Sequence, residues 1–252
     1  MKKHISYLLA LLLLCSLQIT ASGQSAHPLP PAGAAQADPE DEGIDDDAEP
    51  QPEESTFAAD IGGNTGRYDG TVLSFSVREG DCWMEAADGI YVLYQEPSEE
   101  YKQLMREHLV MNEYTNMTEE EFKQQVEISC QSPVQFMTVF DDDRHNLEWY
   151  YDETIPDAPA AAEACYQSYV SSQYVESDEI GLGRVGRYTS SCGGQPMYVV
   201  WHVASSFEFG WVTLYESVVD SPAGTIVSFN YSISEEKTET SVQYVLDSVE
   251  FK

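Results

Sequence analysis

An α+β fold, a mostly antiparallel β-sheet flanked by helices, is predicted from three observations. Residues 183–233 carry four consecutive β-rich runs, GRVGRYTSSC, PMYVVWHVA, FGWVTLYESVV and GTIVSFNYSI, punctuated by Gly, Pro and Asn. That is the pattern of an antiparallel meander. Helical segments with recognisable start signals alternate with shorter strands before it. The 196 residues from Phe57 to Lys252 suit one domain with a real core.

The 56 residues ahead of that domain read differently. MKKHISYLLALLLLCSLQITASG, residues 1–23, has two lysines, an apolar run from Leu8 to Leu14 and small residues at its end, which is the layout of a secretory signal peptide. Lipid attachment at Cys15 is disfavoured because leucines precede it where such processing uses small residues. Residues 24–56, with PEDEGIDDDAEPQPEES at their centre, hold almost no large apolar side chain. Such a segment buries too little surface to offset chain entropy, and a disordered acidic linker is expected. The reading is therefore a secreted or envelope-associated protein with a single α+β domain at 57–252.

The elements follow in order. TVLSFSV (71–77) alternates and, with ADGIYVLYQ beyond a loop holding Cys82 and Trp83, reads as an N-terminal hairpin. Ser98 opens a helix in which Tyr101, Leu104, Met105, His108 and Leu109 share one face. Thr118 followed by Glu121 is a capping box ahead of EEEFKQQVEISC. VQFMTVF (134–140) and NLEWYY (146–151) read as strands joined by DDDRH. A third helix starts after Asp157 with Pro159 in its first turn. After the meander, EKTETSVQYVLDS is a helix and VEF a closing strand.

Charge narrows the partners. From Phe57 to Lys252 there are 34 Asp and Glu against 10 Lys and Arg, which leaves −24. Phosphate backbones and anionic lipid surfaces bind through Lys and Arg, so neither nucleic acid nor an anionic membrane is expected as a partner. An envelope or extracellular protein or a small ligand fits better. Cys82, Cys130, Cys165 and Cys192, in an exported chain, are expected to form two disulfides, with three connectivities open.

Motifs for chemistry are sparse. GLGRVG (181–186) matches the G-x-G-x-x-G dinucleotide pattern, but acidic YVESDEI precedes it and RYTSSCGGQP follows it. A phosphate site needs a strand before and a helix after. Gly186 instead predicts a bulge or close packing in a strand. DDDRH offers Asp141, Asp143 and His145 as the one cluster suited to a metal, with calcium the candidate. An EF-hand loop needs Gly at its sixth and Glu at its twelfth position, where Asn146 and Asp152 stand, so a solvated turn is the plainer reading. G-x-S-x-G, H-E-x-x-H and S-x-x-K are absent, and no catalytic or cofactor-binding residue is assigned. His108 and His202 sit in apolar patterns and are expected to be packed. Among many aromatics, Phe207, Phe209 and Trp211 in WHVASSFEFGW form a candidate binding tip.

Leu73–Val77, Trp83 and Val245–Phe251, an F-S-V strand, a nearby Trp and a closing V-L-D-S-V-E-F, carry a resemblance. In order and motif the chain resembles the PsbP-like fold of exported bacterial proteins, including DcrB-type lipoproteins. The resemblance implies an α/β/α sandwich and a binding or assembly role without a reaction. Function is accordingly expected to be non-enzymatic binding or assembly in the bacterial cell envelope or extracellular space. The alternative is an extracellular hydrolase or metal-dependent enzyme using surface carboxylates with His145 or His202.

Overall fold

Two periodicities organise the chain: a period of two across its C-terminal half and helical spacing on either side of it. The computed structural model describes residues 57–109, 111, 116–141, 155–204 and 211–252. The segments read as signal peptide (1–23) and linker (24–56), the strand at 146–151, Cys15, Asp143, His145, Phe207 and Phe209 lie outside the described residues.

The described part is an α+β fold with five helices, one eight-stranded, mostly antiparallel sheet and a small three-stranded sheet. The elements are α1 (Phe57–Asp60), β1 (Arg67–Asp69), β2 (Leu73–Ser76), β3 (Asp81–Ala87), β4 (Ile90–Gln95), α2 (Glu99–His108), α3 (Glu119–Gln131), β5 (Val134–Phe140) and α4 (Ala158–Ser171). β6 (Val175–Glu176), β7 (Arg184–Cys192), β8 (Gln195–Ala204), β9 (Val212–Asp220), β10 (Ile226–Ile233), α5 (Glu236–Ser248) and β11 (Glu250–Phe251) complete it. The large sheet has the order β3-β4-β5-β10-β9-β8-β7-β6, and the small one β1-β2-β11.

The meander forms as its alternation dictates, β7 to β10 pairing in sequence with continuous register. The hairpin does not form as expected. β2 leaves the large sheet to pair with β1 and, from the far end of the chain, with β11. Cys82 and Trp83 lie in β3, which makes the real hairpin with β4 around Asp88 and Gly89. The reason is non-local: Leu73 and Ser74 find Phe251 and Glu250 as partners, and Ser76 N–H donates to Ser248 Oγ at 2.8 Å.

Side-chain caps fix the starts of α2, α3 and α4. Ser98 and Thr118 accept from the third residues of α2 and α3, Thr118 within a reciprocal capping box with Glu121. Asp157 accepts from Ala160 N–H, and Asp220 of β9 takes Ala158 N–H at 2.8 Å. Two carboxylates therefore sit at the positive end of α4.

Alternation along the meander sends residues to two faces. Met197, Val199, Val219, Val227 and Phe229 meet Leu73 and Phe75 of the small sheet and Val242, Val245 and Leu246 of α5, forming the main core. Val200, Val218 and Ile226 face the other way and are covered by Ala158, Ala161, Cys165 and Tyr166 of α4. A buried polar set ties α2 and α5 together: Gln95 donates to Thr238 and Glu235, and Ser98 donates to Glu235 at the start of α2.

The cysteines correct the sequence reading. Among the described residues no disulfide forms, and all four cysteines are buried, each in its own setting. Cys82 lies beneath Gly63, Cys130 Sγ meets Lys102 O, Cys165 Sγ meets Glu216 and Cys192 Sγ meets Leu246 O. They are distributed over β3, α3, α4 and β7. An even count showed that two bridges were stoichiometrically allowed, whereas bridging needs Cβ atoms within about 4.5 Å of one another.

Candidate functional site

α4 crosses the outer half of the large sheet and leaves a groove of about 350 Å³ along its N-terminal half. Pro159, Ala162 and Glu163 form the helix wall, and Arg187, Thr189 and Tyr198 belong to β7 and β8. The register puts Thr189 opposite Tyr198 and Arg187 opposite Val200. Arg187 pairs with Glu163 across the groove, and its guanidinium lies 4.3 Å from the centre of the Tyr166 ring. Both members of the ion pair keep about half of their side-chain surface exposed. Its net stabilisation is therefore small, but its chemistry remains available: a fixed planar donor and a carboxylate beside an aromatic ring. Such a mixture of apolar wall and few directed polar groups is what small-ligand and peptide sites use.

Under the C-terminal half of α4 lies a second cluster. Glu216 of β9 accepts from Cys165 Sγ at 3.1 Å and from the Tyr169 hydroxyl. The Tyr169 ring stacks on His202 at 4.0 Å between centroids, and Tyr174 meets His202 edge-on at 5.5 Å. His202 is 3% exposed, and its Nδ1 has no hydrogen-bond partner among the described residues. Burial lowers its pKa to about 4, so it is neutral at physiological pH. The packed role expected of His202 is what the structure shows. His108 is corrected: it stands exposed on α2, whose inner face is carried by Met105 instead.

The remaining candidates are placed as follows. Asp141 directly follows β5 with its carboxylate against Gly89, where positive φ suits the hairpin turn. Asp143 and His145 lie outside the described residues, within which no group of three or more His, Cys, Asp or Glu could hold a metal ion. Trp211 is exposed at the start of β9, and its proposed companions Phe207 and Phe209 lie outside the described residues. Gly183 and Gly186 of GLGRVG serve the backbone: Gly183 has positive φ, and a Cβ on Gly186 would strike the Trp201 ring. Burial pushes the thiols of Cys82 and Cys192 up to about 11 and about 12, which keeps them protonated and unreactive.

Arg187, Glu163 and Tyr198 were not singled out by the sequence. Glu163 and Arg187 are 24 residues apart on a helix and a strand, so no local spacing announces them.

No family model matches the chain, the PsbP-like one included, and no curated protein matches it. A solved structure from Bacteroides thetaiotaomicron VPI-5482 is similar at a TM-score of 0.36 and 7% identity over 75% of this chain. This chain spans 49% of that one. Likeness at that level carries no argument about function. Among the described residues no helix is long and apolar enough to cross a membrane.

Proposed function

We propose that this chain is an exported, non-enzymatic binding or assembly domain of the cell envelope or extracellular space, and that its ligand lies in the groove between α4, β7 and β8. The groove itself carries the proposal: Arg187 and Glu163 pair across it beside Tyr198, and a doubly capped helix forms one wall. Export rests on residues 1–23 and the acidic segment 24–56. The PsbP-like resemblance supports an assembly role by analogy of layout, since the segments that carry it, Leu73–Val77 and Val245–Phe251, meet through β2 and β11. Buried, protonated thiols fit an oxidising compartment because oxidation follows thiolate character and exposure.

The experiment is photo-crosslinking in the native cell from a photoreactive residue at position 198, with position 243 on the exposed side of α5 as control. Adducts are expected from 198 and not from 243, and filling the groove with Ala162→Trp should remove them. Equal adduct yields from both positions, or none from 198, would overturn the groove as the binding site.

A further inference from the structure

The two edges of the large sheet are finished differently. β3 is met from outside by Asn64, which exchanges two backbone hydrogen bonds with Trp83 at 2.8 and 2.9 Å. At the other edge, β6 covers only Arg184 and Val185 of β7. Ser177 N–H then donates to Val185 O, and the chain turns away at Asp178 and Glu179.

Val185 O therefore points outward from the sheet. The period of a strand then aims the backbone N–H and C=O of Arg187, Thr189 and Ser191 outward as well. None of them has a hydrogen-bond partner on that side among the described residues. Arg187 to Ser191 is exposed throughout. Long open edges of this kind are normally shortened, bulged or covered, because they template strand addition. This one is instead bordered by the groove, whose Arg187 and Thr189 side chains come from the same five residues.

We propose that the edge of β7 from Arg187 to Ser191 takes up an extended basic peptide segment of a partner protein as a ninth strand. This rests on the groove being the binding site and names its ligand class. Main-chain bonds to Arg187, Thr189 and Ser191 supply the pairing, and alternate side chains of the segment enter the groove beside Tyr198. Charge selects the occupant. Glu176, Asp178 and Glu179 stand exposed where β6 leaves the sheet, at one end of the open edge, and the domain carries −24 overall. A lysine or arginine at that end of the incoming segment meets them. A second copy of this chain would bring the same charge against itself and is disfavoured.

The test uses the full chain and a fluorescein-labelled heptapeptide, KTVTVTK, followed by anisotropy and by amide hydrogen exchange. Saturable binding is expected, with slowed exchange at Arg187, Thr189 and Ser191. The glutamate-ended ETVTVTE should bind at least tenfold more weakly, and so should KTVTVTK to Thr189→Pro, whose lost N–H faces away from β8. Because proline could disturb β7, the surface pair Asp178→Lys and Glu179→Lys is measured beside it and should reverse the preference between the peptides. Absence of KTVTVTK binding, or binding without protection of those amides, would overturn the proposal. A concentration-dependent dimer abolished by Thr189→Pro would overturn the basic-peptide assignment in favour of a second copy. Crosslinks from position 198 that survive Thr189→Pro would leave the groove reading standing while removing strand addition.

Discussion

His202 shows how burial decides what a titratable residue can do. Its ring packs against Tyr169 and Tyr174, which also touch each other, it is 3% exposed, and among the described residues Nδ1 has no hydrogen-bond partner. Protonation in the folded state must therefore overcome desolvation with no compensating bond. The folded pKa of about 4 lies below the unfolded value of about 6.5, so the unfolded chain binds more protons between them. The contribution is fully present above about pH 6.5 and is lost as pH falls towards 4. The loss at pH 4 amounts to about 3 kcal/mol by linkage. Asp81, 2% exposed with its pKa raised chiefly by burial, acts with the opposite sign, so the absolute pH profile mixes the two. His202→Phe isolates the histidine, since a phenyl ring keeps the stacking and removes the titration. Unfolding free energies of the two proteins should run parallel above about pH 7 and separate in favour of the variant below pH 6. Parallel profiles down to pH 4 would show that His202 titrates in the folded protein as it does in the unfolded chain, with no depression by burial.

At the scale of single elements, β7 carries most of what the sequence concealed. Gly186 pairs with Trp201 across the ladder. An added Cβ would run into the Trp201 ring and stand 2.7 Å from the carbonyl oxygen of Ser177. The ring can turn, but the carbonyl is the point where the chain leaves β6 and cannot yield cheaply. Gly186→Ala is expected to destabilise by about 1–3 kcal/mol through overpacking, seen as a lower denaturation midpoint with an unchanged m-value. A midpoint within error of the parent would mean that the Ser177 turn is loose. The strand character of GRVGRYTSSC and the close packing at Gly186 were legible because alternation and glycine chemistry are local. Caps at Ser98, Thr118 and Asp157 were legible for the same reason. The β2–β11 pairing was not, because its partners lie more than 170 residues apart. Cysteine number likewise says nothing about distance in the fold, and the four thiols ended buried on four different elements. Arg187, Glu163 and Tyr198 became a site only when α4 was laid across β7 and β8.

For the whole molecule, charge is the dominant long-range term. Ten Lys and Arg in the domain can neutralise at most ten of its 34 Asp and Glu, and bringing the remainder into a compact body costs self-repulsion. Ion pairs such as Arg67 with Glu250, Arg106 with Glu127 and Lys252 with Asp69 are at the surface. Each is worth about 0–1 kcal/mol. Salt weakens both the pairs and the repulsion, and the excess of acid decides which wins. Raising ionic strength from about 0.01 M to about 0.15 M shortens the Debye length from about 30 to about 8 Å, which screens unpaired carboxylates from one another across the surface. Thermal scans are therefore expected to show Tm rising with sodium chloride over that range. A Tm that falls would mean that the few surface pairs outweigh the net charge. The same screening should weaken KTVTVTK binding, because the acids at Glu176, Asp178 and Glu179 attract the peptide through solvent. Stability and binding thus respond to salt in opposite directions, which follows if one acidic surface both strains the fold and selects its partner.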